Sequence, residues 1–135
     1  MSIWTHVAAV VRIDDIGAIF GDSTDWNAYF GKELHYEDDL ETWEEAEEHP
    51  ERFLPMGSEG SLTLHIWENP NENDLNRYNV MIFGDLRDRD NPNKILEWFK
   101  EKIAGITTAG MVRQAVITIE TEYDETITWT YEKED

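Results

Sequence analysis

The chain has 135 residues, the size of one domain, and 40% of them are hydrophobic, which excludes a disordered acidic tail. Its 30 aspartates and glutamates against 11 lysines and arginines give a formal net charge of −19, which disfavours nucleic acid and anionic membranes as direct partners. The absence of cysteine excludes disulfides, thiolate catalysis and cysteine-ligated zinc. Because residues 1–15 show neither the basic region nor the apolar run of a signal peptide, we expect a cytoplasmic protein, in a bacterium or an infected host.

The N-terminal segment predicts a strand and then a short helix. Apolar residues alternate over Thr5–Ile13 and the residues between them are also largely apolar, so we expect a central strand covered at least in part on both sides. Trp26, Tyr29 and Phe30 have the spacing of a helix face that packs on a core, and Gly31 follows as a stop signal. The candidate N-caps of this helix are Asp22, Ser23 and Asp25.

Residues 33–51 are far more acidic than the rest of the chain. Ten of these nineteen residues are aspartate or glutamate. Leu40, Trp43 and Ala46 form a thin apolar line at helical spacing. We expect a helix that lies on the body of the protein and ends at the residue before Pro50, because proline cannot continue a helix.

The second half of the chain predicts two hairpins and one helix. Alternation over Ser61–Trp67 and again over Tyr78–Phe83 predicts a first hairpin, with the polar loop Glu68–Asp74 between its strands. The remaining signals are a helix start at Asp90-Asn91-Pro92, a helix end at Gly105, and the strands Val112–Tyr123 and Thr126–Tyr131 of a second hairpin.

This order of elements indicates an α+β fold. It is the split βαβ pattern of a ferredoxin-like sandwich, with an acidic helical insertion at residues 33–57 and an extra C-terminal strand. We therefore expect a single domain, residues 1–135, whose antiparallel sheet carries its helices on one face.

Several stretches of the chain carry a resemblance: FLPMGSEGSL (53–62), WENP (67–70), FGDLRDRDNP (83–92), ILEWFK (95–100), VRQAVITIE (112–120) and TWTYE (128–132). The chain resembles, over most of its length, a group of small acidic proteins of Firmicutes genomes and their prophages. The resemblance supplies no catalytic motif. It implies a mobile element as the context, in which small acidic proteins often act as inhibitors of host defence, anti-CRISPR proteins among them.

The acidic segment is the first candidate site. Its glutamates repel one another, since like charges at i, i+4 each cost about 0.2–0.5 kcal/mol in a helix, and no lysine or arginine lies between Lys32 and Arg52. The segment is therefore either a solvated surface or a DNA mimic that occupies the basic groove of a nucleic-acid-handling protein, such as a CRISPR effector. In the second case the partner-binding residues are Glu41, Glu44, Glu45, Glu47 and Glu48, with Trp43 as an apolar anchor.

Arg87 and Arg89 form the second candidate site, in a run of alternating charges after a predicted strand. This run is either a turn with ion pairs at a helix N-terminus, or a site where both arginines hold the phosphate or carboxylate of a small ligand. Trp67 and Trp129 lie among polar neighbours, so either of them, if exposed, is an anchor of a protein interface or, beside Arg87, a platform on which a base stacks. The alternative function is therefore sequestration of a nucleotide or another anionic signal.

Enzymatic chemistry has weaker support. We expect Asp14, Asp15 and Glu68 at one edge of the sheet, where they would form a magnesium site, although carboxylates gather by chance in so acidic a chain. The sequence contains neither a glycine-rich phosphate loop nor a nucleophile elbow. We therefore predict a protein that is not an enzyme and uses no metal or cofactor. A homodimer through the edge of the C-terminal hairpin is compatible with either function.

Overall fold

The computed structural model describes residues 3–15, 25–57, 60–69, 76–87, 92–106, 111–122 and 124–131. These residues form an α+β fold with a five-stranded antiparallel sheet and three α-helices. The strands are β1 (Trp4–Asp15), β2 (Thr63–Asn69), β3 (Asn76–Arg87), β4 (Met111–Thr121) and β5 (Ile127–Thr130). The helices are α1 (Trp26–Phe30), α2 (Leu40–Glu48) and α3 (Pro92–Gly105).

The first strand lies in the middle of the sheet, whose order is β2-β3-β1-β4-β5. β1 pairs antiparallel with β3 on one side and with β4 on the other. β2 pairs with β3, and β4 with β5, which confirms both predicted hairpins. The α+β class, the antiparallel sheet and the central position of β1 therefore agree with the prediction.

The hydrophobic core fills one face of the sheet, against α1 and α3. Side chains alternate between the two faces of a strand, so every second residue of each inner strand joins this core. Burial of these apolar side chains, worth about 25 cal/mol per Å² of surface removed from water, holds the helices on the sheet. The core residues from β1, α1 and α3 are Val7, Ala9, Val11, Ile13, Trp26, Phe30, Ile95, Phe99 and Ile103.

No described helix covers the other face of the sheet, so the described residues supply no helical layer for the predicted cover, at least in part, of the second face of β1. Val10 is 39% exposed, and Ala8 and Arg12 are exposed on the same face. Phe83, opposite Ala8 on β3, is 44% exposed. A strand with apolar residues at both odd and even positions is typical of a sheet that is covered on both faces. An antiparallel sheet nevertheless tolerates alanine and valine on a face that is exposed to solvent. This uncovered surface is termed the open face.

The helix ends follow local capping chemistry. Asp25 is the N-cap of α1 and accepts a hydrogen bond from the backbone amide of Ala28, and Gly31 ends the helix at a φ of 127°. Pro92 is the first residue of α3, as predicted. Gly105 was expected just after that helix but is its last residue. The other predicted start residues lie outside the described ranges: Asp22, Ser23, Asp90 and Asn91.

A β-bulge interrupts β4 at Arg113. Gln114 pairs with Arg12, and Val112 pairs with Ile13, so Arg113 is an extra residue on β4. In a regular strand Val112 and Gln114 would share a face, but Val112 is buried and Gln114 is exposed. Bulges redirect side chains in this way, and this one brings the side chain of Arg113 to the end of β1.

Candidate functional site

The acidic segment folds into α2 through capping at both ends. Asp39 is the N-cap, and its carboxylate accepts hydrogen bonds from the hydroxyl (2.6 Å) and the backbone amide (2.8 Å) of Thr42. These bonds, that of the hydroxyl foremost, lower the pKa of Asp39. The backbone amide of His49 donates to Glu45 at the other end, and the one-turn 3-10 helix Pro50–Arg52 follows. The predicted acidic helix and its end are thus confirmed.

A small second cluster holds α2 on the body of the protein. Ala46 is buried together with Leu34 and Phe53, and Trp43 packs against them partly buried. Leu40, which was expected to continue this apolar line, is 75% exposed. Trp43 therefore anchors the helix internally, and the apolar line of α2 is one residue shorter than predicted.

Glutamates dominate the outer surface of α2. Arg52 is the cation that pairs with it among the described residues, and its Nη1 lies 3.5 Å from Oε1 of Glu45. Glu47 and Glu48 lie at the C-terminal end, where the helix dipole disfavours anions. Within the described structure, an ion pair therefore offsets the predicted charge repulsion at one glutamate of the helix. All five predicted glutamates are exposed and are termed the acidic face: Glu41, Glu44, Glu45, Glu47 and Glu48.

The structure does not bring Arg87 and Trp67 together. Arg87 pairs in register with Trp4 at the end of β3, whereas Trp67 pairs with Asn79 near the start of β3. Eight residues of strand separate the two positions, which is roughly 26 Å at 3.3 Å per residue. Arg89 lies outside the described residues. Trp67 is exposed, as one reading of its position predicted, with 51% of its surface accessible.

Trp129, the other candidate stacking residue, is part of the packing between β5 and α3. Its ring contacts Phe99 edge to face at a centroid distance of 5.8 Å. Nζ of Lys100 lies 5.5 Å from the same ring. Trp67 and Trp129 therefore lie on opposite faces of the sheet, and the described members of the predicted combination, Arg87, Trp67 and Trp129, do not form one site.

Asp85, which belongs to the predicted run of alternating charges, forms a cross-strand pair. Its Oδ1 lies 2.6 Å from Nδ1 of His6, the residue opposite it on β1. This hydrogen bond is the largest cause of the raised pKa of His6. Asp85 and Arg87 lie within β3 rather than after it, so this part of the run belongs to the sheet.

Three arginines that the sequence prediction overlooked meet at one end of the open face. Arg12 on β1, Arg77 on β3 and Arg113 on β4 line a cleft of about 310 Å³ together with Trp67 and Asp14. Nε of Arg113 donates to Oδ2 of Asp14 at 2.5 Å, and Nε of Arg77 lies 3.9 Å from Oδ1 of the same carboxylate. Asp14 itself is 6% exposed. This site is termed the arginine cleft.

The positions of the three arginines in the sequence predict the arginine cleft only when the order of the strands in the sheet is known. Arg12 stands near the end of the predicted first strand, and Arg77 and Arg113 stand at the starts of the later strands. In an antiparallel sheet, the end of one strand lies beside the starts of its neighbours. Once β1 is placed between β3 and β4, the three arginines must share one end of the sheet.

The carboxylates proposed for a magnesium site do not gather. Asp14 lies on the open face with Arg77, whereas Glu68 pairs with Tyr78 one position along and so lies on the opposite face. The side chain of Asp15 is outside the described part of the structure. Within that part, no three histidine, aspartate or glutamate side chains are grouped as metal ligands would be.

Comparisons with protein-family models, with curated proteins and with solved structures find no match to this chain. Among the described residues, none of the helices combines the length and the apolar character that crossing a membrane requires.

Proposed function

We propose that this protein is a non-enzymatic binding protein that inhibits a nucleic-acid-handling host protein by occupying its basic groove, as a DNA mimic. The observation that carries the proposal is the acidic face of α2, with five exposed glutamates on one helix of nine residues. The resemblance to proteins of prophages supplies the context, in which a CRISPR effector is a suitable target. Neither a cofactor nor a metal enters this mechanism.

The charge density of the acidic face is similar to that of DNA. A helix rises about 1.5 Å per residue, so Glu41–Glu48 spans roughly 12 Å and carries one carboxylate per ~2.4 Å. Duplex DNA carries one phosphate charge per ~1.7 Å of its axis, and a single strand one per ~3.4 Å. A basic groove whose lysines and arginines are spaced to bind a phosphate backbone therefore also finds a comparable density of negative charge on α2.

Two exposed apolar side chains next to the acidic face support a protein partner. Leu40 begins α2, and Tyr36 precedes the helix by four residues and is 76% exposed. Because Trp43 packs internally, these two residues take the role of apolar anchor in our proposal. Large apolar side chains beside a charged surface are typical of protein interfaces, where they supply affinity while the charges guide association.

A pull-down from bacterial lysate tests this proposal. The bait variants are the wild type and a variant with glutamine at all five positions of the acidic face. We expect the wild type to retain a nucleic-acid-binding protein at about 50 mM salt. Higher salt should release this protein because it screens the charges, and duplex DNA should release it because it competes for the same basic groove. The five-glutamine variant should retain none of it.

A matched variant removes the effect of net charge. Five exposed glutamates elsewhere on the molecule, changed to glutamine, also bring the formal net charge from −19 to −14, since each substitution removes one negative charge. This control should bind as the wild type does. Equal capture by the acidic-face variant and the wild type would refute the proposal. The control positions are Glu68, Glu97, Glu101, Glu120 and Glu125.

We also infer that the fold is a ferredoxin-like split βαβ sandwich. The antiparallel order β2-β3-β1-β4 supports this assignment, with α1 and α3 packed on one face, α2 in an insertion and β5 added after β4. The place of action that fits an inhibitor of a nucleic-acid-handling protein is the cytoplasm of the bacterium.

A further inference from the structure

The arginine cleft concentrates positive charge on a strongly negative protein. The chain has six arginines in all, and three of them, Arg12, Arg77 and Arg113, line this one cleft. Asp14 is the carboxylate that pairs with them among the described residues, so within that part of the chain the cleft has a local excess of two positive charges, three against one. On a chain whose formal net charge is −19, this concentration of positive charge is a local exception to the charge of the molecule as a whole.

Asp14 positions two of the three guanidinium groups. Its carboxylate contacts Arg113 and Arg77 at their Nε atoms, at 2.5 Å and 3.9 Å. Each guanidinium presents two edges for paired hydrogen bonds, so contact at Nε leaves the edge formed by the two terminal nitrogens free of this carboxylate. Both arginine side chains remain 55% exposed. The buried carboxylate therefore fixes donors whose outer edges are open to a ligand.

Unlike Arg77 and Arg113, Arg12 is not held by an ion pair with Asp14. It is exposed and pairs with none of the carboxylates in the described part of the chain. In the sheet register it stands between Asn79 and Gln114, and Asn79 in turn stands beside Trp67. One row across the open face thus runs from the exposed indole of Trp67, through the amide of Asn79, to the guanidinium of Arg12, which is unpaired within the described part of the chain.

From these observations we propose that the arginine cleft binds a mononucleotide, with its phosphate on the arginines and its base stacked on Trp67. A phosphate monoester carries about −1.5 to −2 charges at neutral pH, which matches the local excess better than a carboxylate does. Adjacent strands are about 4.8 Å apart, so Trp67 and Arg12, two strands apart, are separated by roughly 10 Å along the row. This distance accommodates a nucleotide whose ribose lies between the base on Trp67 and the phosphate on Arg12. The site is independent of the function proposed above, since it includes no residue of α2.

The size and charge of the surroundings favour a small ligand over a nucleic acid. The cleft measures about 310 Å³, which is near the lower end of the range of roughly 300–1,000 Å³ for small-molecule sites. A polynucleotide would place its remaining phosphates beyond the three arginines, where the formal net charge of −19 of the chain repels them. A ligand with a single phosphate group, held on the arginines, meets less of this repulsion.

Calorimetric titration of the full chain with four probes tests the proposal: adenosine 5′-monophosphate, adenosine, inorganic phosphate and a short single-stranded oligonucleotide. We expect the monophosphate to bind most tightly, inorganic phosphate to bind more weakly, and adenosine and the oligonucleotide not to bind. Absence of binding by both the monophosphate and phosphate overturns the proposal. Adenosine binding as tightly as the monophosphate overturns the role of the arginines, and tighter binding of the oligonucleotide overturns the ligand class.

Three variants assign the interactions. Arg12→Gln removes a charge-assisted hydrogen bond and should weaken binding of the monophosphate about tenfold or more. Arg52→Gln is the control, because Arg52 is 57% exposed and belongs to the 3-10 helix rather than to the cleft. Trp67→Leu should weaken the monophosphate about tenfold and leave inorganic phosphate unchanged, since stacking involves only the base. Equal affinity of the Arg12→Gln and Arg52→Gln variants for the monophosphate refutes the assignment, provided that circular dichroism shows both variants folded.

Discussion

At the scale of single residues, two side chains join α1 to the C-terminal end of α3. The hydroxyl of Tyr29 donates to the backbone carbonyl of Lys102 at 2.6 Å, and Nζ of Lys102 donates to the carbonyl of Tyr29 at 2.8 Å. Burial lowers the pKa of Lys102 and raises that of Tyr29. Gly105 lies directly under this contact, because a Cβ at that position would collide with the Tyr29 hydroxyl. Glycine is needed here for close approach rather than for a left-handed backbone.

Substitution of Gly105 by alanine should therefore destabilise the protein by about 1–2 kcal/mol, although alanine is the better helix former. Urea unfolding measures this change. In a Tyr29→Phe background the clashing oxygen is gone, and the same Gly105→Ala substitution should become neutral or stabilising. An equal loss in both backgrounds would contradict the proposed collision.

The His6–Asp85 pair predicts a pH-dependent contribution to stability. Its hydrogen bond raises the pKa of His6 above its ordinary value of about 6.5, so the folded state binds the proton more tightly than the unfolded state. The stabilisation is present below the unfolded pKa and is lost as the pH rises through the folded pKa. A double-mutant cycle with His6→Gln and Asp85→Asn should give a favourable coupling near about pH 5.5 that vanishes near about pH 9.

His65 is a suitable control for this cycle. It is an exposed histidine on β2 that has no carboxylate partner within the described structure. A His65→Gln substitution should show no coupling with Asp85→Asn at either pH, because His65 pairs in register with Met81 and not with Asp85. A His6–Asp85 coupling that is the same at low and high pH would show that the contact does not depend on histidine protonation.

At the scale of elements, α2 stands apart from the main core. Its buried contacts are with the second cluster, around Leu34, Ala46 and Phe53, whereas α1 and α3 pack on the sheet. The segments that carry this cluster are joined by a bridge between Lys32 and Phe53 and by the Leu54 amide bonded to the carbonyl of Lys32. A helix held by so few apolar contacts opens at lower free energy than the sheet does.

Trp43→Ala should release α2 without unfolding the sheet. Truncation of a tryptophan in a core costs about 3–5 kcal/mol, and the loss falls here on the second cluster. Hydrogen exchange should show loss of protection in α2 while β1, β3 and β4 stay protected. Leu40→Ala, at a position that is 75% exposed, should change little. Equal loss of protection in α2 and β1 would mean that both belong to one cooperative unit.

At the scale of the whole molecule, the net charge of −19 opposes the compact state through self-repulsion. Salt screens this repulsion, with a Debye length of about 10 Å at 0.1 M. The melting temperature should therefore rise when sodium chloride is increased from about 20 mM to about 300 mM. The five-glutamine variant of the acidic face, at −14 since five negative charges are removed, should melt higher at low salt and respond less.

The charge-matched control of the acidic face separates net charge from local crowding in this measurement. Both variants have the same net charge, but only one removes the like charges that stand at i, i+4 on α2, such as Glu41 with Glu45 and Glu44 with Glu48. We expect the acidic-face variant to be the more stable of the two by about 0.5–1 kcal/mol. Identical stabilities would mean that exposure to water already relieves the crowding.

Local chemistry made several elements predictable from the residues alone. Asp25 and Gly31 delimit α1, Pro92 begins α3, and the acidic helix ends where Pro50 requires it. The alternation of apolar residues also located the strands, although each boundary differs by a few residues. Such signals depend on neighbours within about four residues in the chain, so they can be read without knowledge of the tertiary structure.

Other features were decided only by pairing between distant residues. The exposure of the second face of β1 depends on what the finished fold places against it. The exposure of Leu40 and the packing of Trp43 depend on their neighbours in the same way. The bulge at Arg113 changes which residues of β4 face the core, and the sequence around it shows only an ordinary strand.

The sequence by itself determined the class of fold, the order of its elements and the acidic character of α2, because capping, alternation and charge act locally. The tertiary structure alone decided the arginine cleft. Arg12, Arg77 and Arg113 are far apart in the chain and become neighbours only when β1 lies between β3 and β4 and the bulge turns Arg113 toward Asp14. Electrostatic attraction acts through space rather than along the chain, so a site built on it is visible only after the strands are paired.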